Sequence, residues 1–207
     1  MKSLSLRGTF AAALSVVAAA AAVTAPQHAH AAETCYDFGK QTPGASWPVA
    51  PQTDVPIGIG HIRVHPLKLD GVVQAPASAS FAVSDTKIAG GASPEMAGNY
   101  VAVQMLPREP ASRIRLRYSH QPGADDKRAA AVEVNGVRRD WRGSFERLNG
   151  EKLGPAAHPA RFTVTPEPEA SGGNWESGRF VVESRNGIKS FSLGAAHLCL
   201  DGVCFMR

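Results

Sequence analysis

The stretch Arg113-Ile-Arg-Leu-Arg-Tyr118 alternates charge with apolar bulk at every step. Successive side chains of a strand point to opposite faces, so Ile114, Leu116 and Tyr118 share one side and three arginines the other. That is the signature of a half-buried strand. Working outward, His61-Ile-Arg-Val-His65 repeats the pattern with Ile62 and Val64 inward, and Tyr100-Val-Ala-Val-Gln-Met105 and Arg161-Phe-Thr-Val-Thr165 are similar. Asn-Gly pairs at 135-136, 149-150 and 186-187 suit tight type I′ turns, in which both central residues need positive φ. The last pair predicts a hairpin in which Val182 faces Phe191 and Phe180 faces Leu193, four side chains on one face.

Roughly ten short strands follow at the 8–12-residue intervals typical of sandwiches and barrels. Of 207 residues, 20 are glycine and 15 proline, which favours many turns and few long helices. No amphipathic helix of convincing length and no internal repeat occurs. The length suits one well-buried domain, with a first strand and extended loop over 32–56 and the remaining strands over 57–207.

Residues 1–31 read as a secretory signal. Lys2 and Arg7 precede an apolar run from Phe10 to Val23, and small residues follow, with Ala29 and Ala31 placing cleavage before Ala32. The apolar run is shorter than the roughly 20 residues a spanning helix needs, so no membrane span is expected and the product is secreted or periplasmic. Losing Lys2 and Arg7 lowers the formal charge of +4 to about +2, which argues against nucleic acid as a partner. Export brings oxidising conditions in which paired cysteines persist. A bridge from Cys35 to the far end, with Cys204 as partner, would tie the two ends together. The competing arrangement turns at Asp201-Gly202 and sets Cys199 opposite Cys204.

The two ends also carry a family pattern. Cys35-Tyr-Asp-Phe-Gly39 and Leu193-Gly-Ala-Ala-His-Leu-Cys-Leu-Asp-Gly-Val-Cys-Phe205 resemble the terminal strands of secreted bacterial jelly-roll domains, and Ile114–Tyr118 followed by Val132-Glu-Val-Asn-Gly136 resembles their middle. The resemblance implies a single galactose-binding-like jelly-roll β-sandwich, related in shape to carbohydrate-binding modules, whose first and last strands lie side by side. It also implies a structural calcium near their meeting point, with Asp37 and Asp201 at the acid positions. Gly39 and Gly202 stand where the family motifs place two further acids, which depletes the six to eight oxygens a hard cation needs. The alternative has Asp201 accepting backbone hydrogen bonds in a bulge.

No catalytic signature is present: neither Gly-x-Ser-x-Gly, nor His-Glu-x-x-His, nor a phosphate-binding glycine loop occurs. His61 and His65 would lie about 13 Å apart on a strand, too far to share a zinc ion. His120, His158 and His197 sit in unrelated segments, and nothing supplies a base for Cys199. Acids such as Glu95, Glu109, Asp125 and Asp126 form no defined pair, and Asp125–Arg128 reads as solvated charge. Two tryptophans stand out among polar or glycine neighbours, Trp141 beside Arg142 and Trp175 after Gly172-Gly-Asn. Each is either a platform for a sugar ring, with Arg142 binding hydroxyls, or a lid folded back on the sandwich end. Arg113, Arg115 and Arg117 could form a second, cationic surface with His61, Arg63 and His65 if the two strands were neighbours; otherwise each set is a solvated face balanced by acids. The expectation is a secreted, non-catalytic protein that binds carbohydrate or another extracellular polymer. A structural surface-matrix protein is the alternative, and a secreted hydrolase the third.

Overall fold

The computed structural model describes residues 32–50, 52–82, 88, 94–122, 129–168 and 174–207. The leader reading of 1–31 and the charged loop at 125–128 lie outside these residues. The fold is all-β. Its strands are β1 (Glu33–Asp37), β2 (Val55–Pro56), β3 (Gly60–Pro66), β4 (Lys68–Leu69), β5 (Val72–Val73), β6 (Ser78–Ala82), β7 (Glu95–Pro107), β8 (Ala111–His120), β9 (Ala129–Val134), β10 (Val137–Arg142), β11 (Lys152–Leu153), β12 (Ala160–Glu167), β13 (Glu176–Ile188) and β14 (Phe191–Met206). The only helical pieces among the described residues are 3₁₀ turns at Phe38–Lys40 and Phe145–Leu148. Several strands are longer than the short elements expected: β7 and β13 have 13 residues each and β14 has 16.

That length has a structural cause. Along one edge β14 pairs first with β9 and then with β8; along the other it pairs first with β7 and then with β1. Its first half therefore sits in the series β10-β9-β14-β7-β3-β2, and its second half in β11-β12-β13-β8-β14-β1. Twelve described strands thus form one antiparallel sheet that folds over along β14 into a sandwich-like pair of layers. Between the layers Phe180 of β13 stacks on Phe191 of β14, ring centres 5.6 Å apart, with Phe162, Phe145 and Tyr118 packed edge-on around Phe180. All five rings are fully buried. A second aromatic group, Phe38, Trp47 and Phe81, closes the other end of the same core.

The alternation read from sequence holds in detail. Ile114, Leu116 and Tyr118 face the core, as do Ile62 and Val64. The Asn-Gly turns divide three ways. Asn135 (φ 50°) and Gly136 (φ 82°) make the expected type I′ hairpin between β9 and β10. Asn149 (φ −60°, ψ 123°) followed by Gly150 (φ 83°) is instead a type II turn, closed by Glu151 N–H to Leu148 O.

The expected hairpin at Asn186-Gly187 does not form. That pair lies inside β13 at a bulge against β8, and the chain then crosses between layers at Lys189–Ser190. Val182 pairs with Ile114 and Phe162, while Phe191 pairs with Met105 and Val134. The shared apolar face was real, but those side chains meet through the core rather than along a ladder. Asn135 fixes this crossing: its Oδ1 accepts from Lys189 and Ser190 N–H, and its Nδ2 donates to Gly187 O.

Cys35 and Cys204 are directly opposed on β1 and β14 and joined by a disulfide. Asp201-Gly202 is not a turn but a bulge within β14, and Cys199 is a buried thiol outside the bridge. The bridge spans a sequence separation of 169 residues. Closing so long a loop restricts the unfolded chain by about 4–5 kcal/mol in the chain-entropy account. The double variant Cys35→Ser/Cys204→Ser is therefore expected to lose several kcal/mol in urea unfolding, with the native far-ultraviolet circular dichroism retained. A loss below about 1 kcal/mol would show that pairing of β1 with β14 suffices without the bond.

Candidate functional site

The predicted site residues fall in three separate places. Trp141 lies on the core-facing side of β10, half-buried, packed against the core, with its indole N–H donated to Ser144 O at 2.9 Å. Arg142, one residue on, takes the opposite face of the strand and stands exposed, 3.9 Å from the Asp70 carboxylate. Alternation thus divides the pair that looked contiguous in sequence. Trp175 stands just before β13, an element that does not pair with β10.

Around Trp175 the structure gathers groups that sequence reading did not connect. The His197 ring lies 6.4 Å from the Trp175 ring and 6.1 Å from the Tyr100 ring. All three are half-buried, so part of each ring meets solvent. They form an aromatic ledge. β14 contributes His197 because the core-facing alternation slips there: Ala195 and Leu198 both point inward, which leaves His197 outward. β7 slips at the matching place. Tyr100 adopts φ 49°, a left-handed conformation that is an outlier for an aromatic residue. Such strain persists only where surrounding structure enforces it. Here β7 changes partner, from β3 over 101–107 to β6 over 95–99, and Tyr100 O accepts from Leu67 N–H.

The polar edge of the ledge is ordered. His197 Nδ1 lies 2.7 Å from Asn99 Oδ1. A carbonyl oxygen only accepts, so in this contact Nδ1 is the donor. Trp175 is held by its neighbour: Glu176 pairs with His120 in the ladder, and its carboxylate lies 3.2 Å from the buried His120 Nε2. Burial alone would raise the Glu176 pKa, but hydrogen bonds from His120 and Ser144 outweigh it and leave the carboxyl below its ordinary value. Flat rings with a polar rim of Asn99 and His197 offer apolar faces to C–H groups and donors and acceptors to hydroxyls.

The acids implied as calcium ligands are otherwise engaged. Asp37 Oδ1 accepts from Gly39 N–H and caps the first 3₁₀ turn, and Asp201 Oδ2 accepts from Arg117 Nη1 at 3.0 Å. The small cavity between them is also lined by Arg115 and Arg117. Two carboxylates facing two guanidiniums do not fit a hard cation, which needs many oxygens and no competing positive charge. Glu33, Cys35 and Cys204 also cluster, but both sulfurs are in the disulfide and Glu33 is paired with Arg115.

The cationic surface dissolves for a related reason. β8 pairs with β13 and β14, whereas β3 pairs with β2 and β7, so the two basic strands are not neighbours. Each arginine of β8 meets an acid from another strand: Arg113 with Glu183, Arg115 with Glu33, and Arg117 with Glu167 and Asp201. No family model, curated protein or solved structure matches this chain.

Two outcomes follow from these surroundings. Trp141→Ala removes a half-buried indole and its hydrogen bond, and should cost about 2–3 kcal/mol, below the range for fully buried tryptophan; thermal denaturation of Trp141→Ala beside Trp175→Ala should show the larger drop at Trp141. For acid, hydrogen bonds from Arg115 hold the Glu33 carboxyl below its ordinary value despite partial burial. Because folded-state values are depressed at Glu33 and Glu176, their stabilisation is complete above the ordinary carboxylate range and disappears as pH falls through the lowered values. Urea midpoints measured from neutral pH down to about pH 3 should therefore decline, and the decline should be shallower in Glu33→Gln.

Proposed function

We propose that this is an exported, non-catalytic protein that binds carbohydrate or another extracellular hydroxyl-rich polymer through the Tyr100–His197–Trp175 ledge. The carrying observation is the three-ring row itself: half-exposed rings about 6 Å apart, one held by a strained backbone and another by an oriented side-chain hydrogen bond. A pyranose has apolar C–H faces and a rim of hydroxyls, and the ledge offers the complementary pair of surfaces. Export is supported by the disulfide, which suits an oxidising compartment, and by the leader-like sequence of residues 1–31. No helix among the described residues is long and apolar enough to cross a membrane. The terminal motifs that resemble secreted jelly-roll domains agree with this reading.

Isothermal titration with cellohexaose, mannohexaose and laminarihexaose tests it. At least one should bind, Trp175→Ala and His197→Ala should each weaken that affinity about tenfold, equal to ~1.4 kcal/mol, and added salt should have little effect because stacking is not screened. Binding that survives both substitutions, or no binding to any of the three and none on a wider glycan array, would overturn the proposal and leave a structural surface-matrix role.

A further inference from the structure

A cavity of about 400 Å³ lies elsewhere on the sheet, within the range of small-ligand sites. Its floor is a cross-strand row on the outward face of the layer formed by β3, β7, β14, β9 and β10. Reading across the ladder, Arg63 pairs with Gln104, Gln104 with Ser192, Ser192 with Glu133, and Glu133 with Arg138. Five polar side chains stand in register across five strands, and all but the buried Ser192 line the cavity.

One wall is the β4-β5 hairpin, turned at Asp70 (φ 48°) and Gly71 (φ 82°). Its root is buried. Leu67 packs on Ala102 and Ala131, and a Cβ on Gly194 would fall 2.8 Å from Leu67 Cδ1 and 2.9 Å from Ala102 Cβ, so glycine at 194 leaves room for the hairpin root. Its tip is tethered to β10: Arg138 donates to Lys68 O, and Asp140 accepts from Asp70 N–H at 2.9 Å. The wall is thus fixed rather than hanging free. It presents Lys68 and Val73 to the cavity, and Val73 is 51% exposed.

The floor is held in place from outside. Asp54 accepts from Arg63 Nε at 2.7 Å, Arg63 Nη1 donates to Gln104 Oε1, and Asp140 accepts from Arg138 Nε. Burial lowers the His65 pKa, which leaves this neighbour neutral near pH 7. Two groups remain. Among the described residues neither the Lys68 ammonium nor the half-buried Glu133 carboxylate forms a side-chain hydrogen bond or ion pair within the chain, Glu133 having only the His65 ring as an electrostatic neighbour, and both line the same cavity. A ligand that satisfies both carries an anion and a hydrogen-bond donor, and one that covers Val73 and Pro66 carries an apolar face as well.

We infer that this groove is a second binding site, separate from the aromatic ledge, for a carboxylate-bearing sugar of the uronate class. Its carboxylate meets Lys68 with the outer N–H groups of Arg63 and Arg138, its hydroxyls donate to Glu133 and accept from the Gln104 amide, and its ring C–H face covers Val73. Lys68 supplies the one cation of the cavity without a paired acid, and Glu133 selects for a hydroxyl-rich anion over a bare one, since a carboxylate alone would be repelled by it.

Titration of the full chain with trigalacturonic acid, with galactotriose as its neutral counterpart and alanine as a zwitterion, tests the inference. Trigalacturonic acid should bind, more weakly as salt rises, with Lys68→Gln and Glu133→Gln each reducing affinity about tenfold, as expected for a charge-assisted hydrogen bond. Lys68 is exposed and Glu133 half-buried, and unchanged thermal midpoints verify that the fold is intact. Trp175→Ala should leave this binding unaltered, which separates failure of the groove from failure of the ledge. Galactotriose binding that equals that of trigalacturonic acid and persists in Trp175→Ala, preference for alanine, indifference to Lys68→Gln, or no binding of trigalacturonic acid at millimolar concentration would each overturn it.

Discussion

The backbone pairing of β14 is the constraint on which everything else rests. Its sixteen residues contact β9 and β7 at one end and β8 and β1 at the other, so a single strand joins both layers. Two requirements meet in its sequence. Core-facing positions must remain apolar through a change of layer, and the alternation must slip where the strand bends. The slip at Ala196–His197 and the bulge at Asp201 are the result, and both release polar side chains to the outer surface. The ledge histidine is a by-product of how the sheet folds over. So is the pairing of Asp201 with Arg117.

Two charged rows on the outer surface show how identical residue types reach different ends. On β8 each of the three arginines is met by a carboxylate from another strand, giving a neutralised row with little left to offer a ligand. Such exposed pairs contribute modestly to stability, about 0–1 kcal/mol each. On the layer containing β9 the acids hold the arginines from the side and a hairpin rises over part of the row. Neutralisation flattens the first surface, whereas tethering shapes the second.

How much of this the sequence disclosed depends on the range of the interaction. Strand identity and facing at Ile114, Leu116, Ile62 and Val64 are set by nearest-neighbour alternation and were legible outright. The Cys35–Cys204 bridge was legible as one of two arrangements, a bridge from Cys35 that ties the chain ends against a local hairpin pairing of Cys199 with Cys204. What failed was inference of which strands adjoin. The Asn186-Gly187 pair carries a strong local turn signal, yet tertiary packing of Phe180 on Phe191 overrides it. The ledge was one-third visible through Trp175; His197 and Tyr100 were hidden because their exposure arises from coordinated slips on two paired strands. The groove was invisible as a site, although Arg63 and Glu133 could each be assigned outward, since its floor depends on a strand order that no single segment encodes.

The placement of the disulfide has a mechanical consequence. It joins β1 to the last turns of the chain path, directly across the ladder, so almost the whole described fold lies within the covalent loop. Tension applied upstream of Cys35 and downstream of Cys204 meets only the flanking pairs Glu33–Met206 and Thr34–Phe205 before it reaches the two sulfur atoms, and the strands enclosed by the covalent loop carry none of it. A chain anchored at one end and pulled at the other would stretch only its tails. The load is shunted past the sandwich, and both outer surfaces keep their shape under strain.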